Sequence, residues 1–216
     1  MPRPLHDAID RRTALRGFGA IGLTVAAGLF ATSQAHASSD LVVVDQMGTG
    51  RWDTENCGPT STVIAMVAAG RTVPHYVSGT KGTEVGGNIR AVEEMRARCG
   101  LSPWDDPDAK SVDYIGAYLG DLEDGIRDAG ARATRAVFEE GVAAAANGSV
   151  VILHVRHGAL IDDPTANYGH FVVAQGEDAD GNILVSDPGR AQTLGITSYS
   201  RDHLIAARQG YSTIVS

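Results

Sequence analysis

With 216 residues, 43% of them hydrophobic, the chain has an ordinary globular composition and room for one domain or two small ones. Its 26 acidic groups outnumber 18 basic ones, which argues against nucleic acid and anionic membrane surfaces as partners, since both need a basic face. Two cysteines, Cys57 and Cys99, are too few for a disulfide scaffold, and no Cys/His cluster has zinc-ligand spacing.

The first 37 residues read as a targeting segment rather than as fold. Asp10-Arg11-Arg12-Thr13-Ala14-Leu15-Arg16 sets twin arginines before the moderately apolar GFGAIGLTVAAGLFATSQA. Ala35-His36-Ala37 then has the small-x-small form that signal peptidases cut after. The apolar stretch from Gly17 to Ala31 is shorter than the ~20 residues a spanning helix needs, so a cleavable Tat-type signal is expected rather than an anchor. The twin-arginine export machinery and a signal peptidase are the expected processing partners. The mature bacterial protein is expected on the secreted, extracellular or cell-envelope side, with no stable membrane anchor. Residues 38–216 would carry 14 basic and 24 acidic groups, a net of about −10.

Leu41-Val42-Val43-Val44 is β-branched and reads as a strand, and Asp45 to Asn56 as a loop. Cys57 to Ala69 is compact and apolar with Gly70 as a stop, which predicts a buried helix. Thr83 to Cys99 places Val85, Ile89, Val92 and Met95 at helical spacing, ended by Gly100. Pro103 to Lys110 is an acidic loop. Ser111 suits an N-cap, with Val112, Ile115, Leu119, Leu122 and Ile126 on one face; Gly116, Gly120 and Gly125 allow two short helices here.

The second half changes character. Ala133 to Val137 reads as a strand and Glu139 to Ala146 as a short helix. Ser149 to Val155 and Phe171 to Gln175 are buried-strand patterns, and the turn Asp180-Gly181-Asn182 leads into Ile183 to Ser186 as a hairpin. Leu194 to Tyr199 extends the sheet, Asp202 to Arg208 forms a short helix, and Tyr211 to Val215 a last strand. A helical half followed by an antiparallel β-rich half is α+β rather than alternating βαβ, and the two halves would meet along a cleft.

Several residues have chemistry to offer. Asn56 suits a helix N-cap, which puts Cys57 at the first helical position, where free N–H groups and the positive dipole end stabilise a thiolate. Gly58 would leave room for an incoming substrate, and Pro59 is tolerated in a first turn. A buried structural cysteine and half of a disulfide are the competing roles. Outside the targeting segment the histidines are His75, His154, His157, His170 and His203. His170 stands at the start of a buried strand in Tyr168-Gly169-His170-Phe171-Val172-Val173; His75 and His203 read as surface or hydrogen-bonded filler, a role that His154 and His157 could also fill. Asp187 ends the next strand in NILVSDPG, so a hairpin over 171–186 would place it beside His170, where it would orient the imidazole. A plain turn is the competing reading. The side chain of Gln46, in the loop before Cys57, would complement the Cys57 backbone N–H in an oxyanion hole.

Jointly, a Gln upstream of NCGPTS, then GHFVVA about 110 residues on, then ILVSDPG closing a hairpin, resembles the papain-like cysteine peptidases. Within them the chain is most similar to the family typified by the double-glycine leader peptidase domains of bacteriocin exporters (cysteine peptidase family thirty-nine), and to its stand-alone secreted members. The resemblance spans Val42 to Ser216. It implies a papain-like fold for 38–216, with Cys57 as nucleophile, His170 as general base and then acid, Asp187 as orienter and Gln46 as oxyanion donor. It also implies hydrolysis of a peptide or protein substrate through a thioester acyl-enzyme, with no cofactor and no metal. An export signal stands where exporter-linked members carry a transporter, so the leader-peptide substrate does not transfer. Two alternatives stay open. One is acyl-transferase, amidase or isopeptidase work at the same site, because an amine can capture a thioester. The other is a non-catalytic secreted binding protein in which Cys57 pairs with Cys99. An EF-hand loop starting at Asp178 would need a carboxylate at its twelfth position, where Gly189 stands, so Glu177 to Asn182 reads as a solvated turn.

Overall fold

The computed structural model describes residues 41–49, 52–78, 88–102, 116–191 and 195–216. The targeting segment, the start of the helix expected from Thr83, the acidic loop after Leu101-Ser102 and the helix start at Ser111 lie outside the described residues.

A 3₁₀ turn at Asp53–Glu55 leads into α1 (Cys57–Ala68), followed by α2 (Asn88–Arg98) and α3 (Leu119–Asp128). Each of these helices stops as its sequence predicts, on a glycine with positive φ: Gly70 at 72°, Gly100 at 69° and Gly130 at 81°. The N–H after each glycine bonds back five residues, Arg71 to Met66, Leu101 to Arg96 and Ala131 to Ile126, which closes a Schellman cap. The chain then passes through β1 (Ala133–Ala136), α4 (Phe138–Ala146), β2 (Val150–Arg156), a short α5 (His157–Leu160), β3 (Gly169–Glu177) and β4 (Ile183–Ser186). It ends with β5 (Ile196–Tyr199), α6 (Arg201–Ala206) and β6 (Arg208–Val215). The six strands form one sheet in the order β1-β6-β2-β3-β4-β5, every neighbouring pair antiparallel. The class is α+β, as expected. Among the described residues no helix is long and apolar enough to cross a membrane.

The unbroken apolar runs of β2 and β3 have a physical reason: both strands are central and buried on both faces. Ile152, Phe171 and Val173 face a core with Val63, Ile64 and Met66 of α1, Val92 and Met95 of α2, and Leu122 and Ile126 of α3. Their neighbours Val151, Leu153, Val155, Val172 and Ala174 pack with Phe138 and Val142 of α4 and with Leu204 of α6. Burying each large side chain contributes about 1.5–3 kcal/mol, so the two layers together anchor the sheet between helices.

Two expectations need correction, and one element was not expected. Leu41 to Val44 is not a strand. The Val42 N–H donates to Gln175 Oε1 (2.8 Å) and Gln175 Nε2 donates to the Val42 carbonyl (2.7 Å), so a side-chain amide takes the place of a neighbouring strand. The turn of helix at α5 has no counterpart in the sequence reading. Gly58, finally, does not open space for substrate. A Cβ there would lie 2.7 Å from the Ala117 Cβ and 2.9 Å from Leu122 Cδ2, so the glycine lets α1 approach α3. Gly58→Ala is expected to lower stability by about 1–3 kcal/mol through overpacking, measured as a shift of the urea unfolding midpoint at unchanged slope.

Candidate active site

Cys57 begins α1 and keeps part of its surface exposed, while the residues after it, Gly58 to Met66, are buried. Asn56 occupies the cap position but its side chain does not cap the helix. Its Oδ1 accepts from Nη1 of the buried Arg96 (2.8 Å), and its Nδ2 donates to Thr49 Oγ1 (2.9 Å). The first helical bond is made by the Asn56 carbonyl, which accepts from Thr60 N (3.0 Å). Asn56 is therefore a tether: it ties the helix start to α2 on one side and to the preceding loop on the other. A second tie comes from Ser61, whose hydroxyl donates to the Phe171 carbonyl at 2.9 Å. That bond fixes α1 against β3 one residue from His170, a role the sequence reading did not assign.

Both cysteines are free, so the Cys57–Cys99 disulfide of the binding-protein alternative is not formed. Cys99 lies buried behind Gly125, and burial pushes its thiol up to about 12. It is a core thiol with no nucleophilic character near neutral pH.

His170, the second residue of β3, is buried. The β3–β4 hairpin pairs Val173 with Ser186, which brings Asp187 back to the start of β3 as the hairpin argument requires. His170 Nε2 lies 2.6 Å from Asp187 Oδ1, the length of a charge-assisted hydrogen bond. With Nε2 so engaged, Nδ1 is the ring nitrogen left free of Asp187, and Cys57 lies close enough to influence the His170 pKa. Burial alone would lower the His170 pKa. The hydrogen bonds to Asp187 and Cys57, with the charges of both, reverse that and raise it to about 10. Burial would likewise raise Asp187, but its hydrogen bonds with His157 and His170 outweigh it and hold the carboxyl well below the usual carboxylate range. The three residues Cys57, His170 and Asp187 thus form one row, from the helical half to the end of a hairpin.

Gln46 is buried beside the same row. Its backbone N–H donates to the Pro188 carbonyl (3.0 Å), one residue past Asp187. Its side-chain Nε2 donates to the carbonyls of Asp53 (3.0 Å) and Thr54 (3.1 Å), immediately before Cys57. Oε1 has no partner among the described residues. Gln46 therefore spans the two loops that carry Cys57 and Asp187, with its amide turned toward backbone carbonyls.

One further histidine joins the site. His157 Nε2 lies 3.2 Å from Asp187 Oδ2, and His157 Nδ1 lies 2.6 Å from the Tyr168 hydroxyl. Donor atoms of His157, His170 and Asp187 all lie within 4.8 Å of one another, the set among the described residues that can jointly hold a metal ion. The remaining histidines behave as filler. His154 stacks on Phe171 with ring centroids 4.6 Å apart, and burial, then the charge on His170, lowers its pKa. His203 bonds the Leu160 carbonyl at 2.8 Å, and His75 lies on the surface 3.7 Å from Glu94.

No protein-family model matches the chain, and no curated protein matches it either. Among solved structures it is similar to the peptidase domain of Streptococcus ComA, a bifunctional ABC transporter of a quorum-sensing pathway, with a TM-score of 0.49 and 12% identity. That match covers 76% of this chain and 92% of the other. A double-glycine-motif protease from an AMS/PCAT transporter, in complex with its leader peptide, gives a TM-score of 0.47 at 17% identity, covering 81% and 89%. A C-thirty-nine-like peptidase from Bacillus anthracis gives 0.49 at 16% identity, covering 82% and 94%.

Proposed function

We propose that this chain is a secreted papain-like cysteine peptidase in which Cys57 is the nucleophile, His170 the acid–base, Asp187 its orienter and Gln46 an oxyanion donor. The observation that carries the reading is the row itself: a partly exposed thiol at a helix start, electrostatically coupled to a buried imidazole of which one nitrogen is held by a buried carboxylate. A His170 that stays protonated is the counter-charge a Cys57 thiolate needs. The thiolate sulfur attacks the carbonyl carbon of a peptide bond, and the oxyanion is received by the Cys57 N–H and the Gln46 amide. Gln46 must turn from the Asp53 and Thr54 carbonyls to do so; among the described residues Oε1 has no partner for that turn to break. The leaving amine takes its proton from His170, and water, deprotonated by His170, then opens the thioester. Export is supported by Arg11-Arg12 and by Ala35-His36-Ala37, and the exported protein is expected to begin at Ser38 by N-terminal sequencing.

The deciding experiment treats the folded protein with an epoxysuccinyl-type thiol probe and maps the adduct by mass spectrometry. A single adduct on Cys57 is expected. An adduct on Cys99, or none, overturns the reading.

The acid–base role also sets a pH dependence. The His170 pKa is raised, so the imidazolium is present below pH 10 and is lost as pH rises through about 10. Peptide hydrolysis is therefore expected to fall above that pH, because the leaving amine loses its acid. Alkylation of Cys57 by iodoacetamide needs only the thiolate and is expected not to fall in the same range. Parallel rate profiles for the two reactions would remove His170 from the acid role.

A further inference from the structure

We infer that His157 is a positioning residue for the His170–Asp187 pair, oriented in turn by Tyr168; the inference rests on the cysteine-hydrolase reading above and deepens it. The strand pairing puts His157 there. β2 and β3 run antiparallel with Arg156 opposite Gly169 and Val155 opposite His170. One step past that pair, the His157 N–H donates to the Tyr168 carbonyl at 3.0 Å. The register therefore continues beyond the last strand residue and delivers the His157 and Tyr168 side chains to the end of the sheet where His170 begins.

The carboxylate of Asp187 is held on both oxygens. Oδ1 receives His170 Nε2 at 2.6 Å and the Gly189 N–H at 2.9 Å, and Oδ2 receives His157 Nε2 at 3.2 Å. Both Asp187 and His157 are buried. A carboxylate held on one oxygen can rotate about its Cβ–Cγ bond; held on both, it presents Oδ1 to His170 in one orientation. Because a carboxylate only accepts, the His157 nitrogen that faces it carries the hydrogen. In the neutral ring the other nitrogen then accepts, so the Tyr168 hydroxyl, at 2.6 Å from Nδ1, donates. The phenol's proton is well kept: burial, followed by the charge on Asp187, raises its pKa. Tyr168 thereby selects the tautomer that lets His157 hold Asp187. The rings also screen the pair from solvent. His157 lies against His170 with centroids 4.4 Å apart, and Tyr168 stands edge-on to His170 at 6.4 Å and 89°.

The test reads the rate at which iodoacetamide alkylates Cys57 at pH 7 in protein shown to be folded by circular dichroism, together with the low-field N–H proton resonance of His170. His157→Ala is expected to slow alkylation about 10-fold and to shift or broaden that resonance, the size of effect typical when a group that orients a functional residue is lost. His157→Gln, which keeps an N–H donor for Oδ2, is expected to recover most of the rate. Tyr168→Phe is expected to slow it about 3-fold, and adding it to His157→Ala to change nothing more, because Tyr168 acts through His157. If His157→Ala does not fold, the Gln and Tyr168→Phe variants decide. Wild-type rates and an unmoved resonance in the folded variants overturn the inference. Failure of the underlying reading looks different: wild-type Cys57 would then react no faster than an ordinary thiol.

Discussion

Replacing Cys57 with serine is expected to abolish epoxysuccinyl labelling altogether and to reduce peptide hydrolysis by about 10⁴-fold or more, with the fold intact. The thiol is partly exposed and free, so the swap of sulfur for oxygen changes little of the packing. What it removes, in the proposed mechanism, is the nucleophile, and with it the covalent step. His170→Ala is expected to give a loss of the same order, and the double variant no further loss, because nucleophile and base act as a unit. The assay is single-turnover cleavage of a fluorogenic peptide library, read beside the labelling. Hydrolysis that survives in Cys57→Ser at wild-type level would show that the reaction runs through another group.

Asp187→Ala is expected to affect both rate and stability. His170 would lose the partner that sets its tautomer, which lowers turnover by about 10³–10⁴-fold. Two buried histidines would lose their carboxylate, and breaking a buried pair by removing one partner costs about 3–5 kcal/mol. The pH dependence of that cost follows from the two shifts. The Asp187 pKa is depressed, so its stabilising contribution is present above the ordinary carboxyl range and is lost as pH falls through the folded value. The His170 pKa is raised, so its contribution is full below the ordinary imidazole value and is lost as pH rises through about 10. The gap between wild type and variant in urea unfolding should therefore be widest between about pH 4 and 6.5 and narrow toward pH 10. A gap that grows with alkalinity contradicts this pairing.

Much of this architecture is legible in the chain because its causes are local. Apolar runs as dense as VVILHV and FVVA mark central strands, and Gly70, Gly100 and Gly130 mark helix ends because only the few residues before them decide the cap. His170 and Asp187 are legible for a related reason: one hairpin separates them by 17 residues, and antiparallel pairing must bring its ends together. The misreadings have remote causes. Nothing near Val42 announces that Gln175, 133 residues away, will occupy its backbone groups. Gly58 answers to Ala117 and Leu122, and Asn56 to Arg96, 40 residues on. His157 belongs to the same class of problem. Its link to Asp187 appears only once β2 is known to pair with β3, because the register then carries His157 to the end of the sheet where the β3–β4 hairpin leaves Asp187. Side chains that serve a site through long-range contacts carry no local pattern.

The Ser61 hydroxyl on the Phe171 carbonyl joins positions 110 residues apart in the chain. The hairpin that holds His170 and Asp187 closes a short loop, whereas docking α1 onto β3 must close a very long one, so the base and its orienter can assemble before the nucleophile reaches them. Without that contact, Cys57 would have no His170 beside it to stabilise a thiolate. If Cys57 acts as proposed, its activation thus depends on a long-range contact, not only on the local hairpin that holds His170 and Asp187.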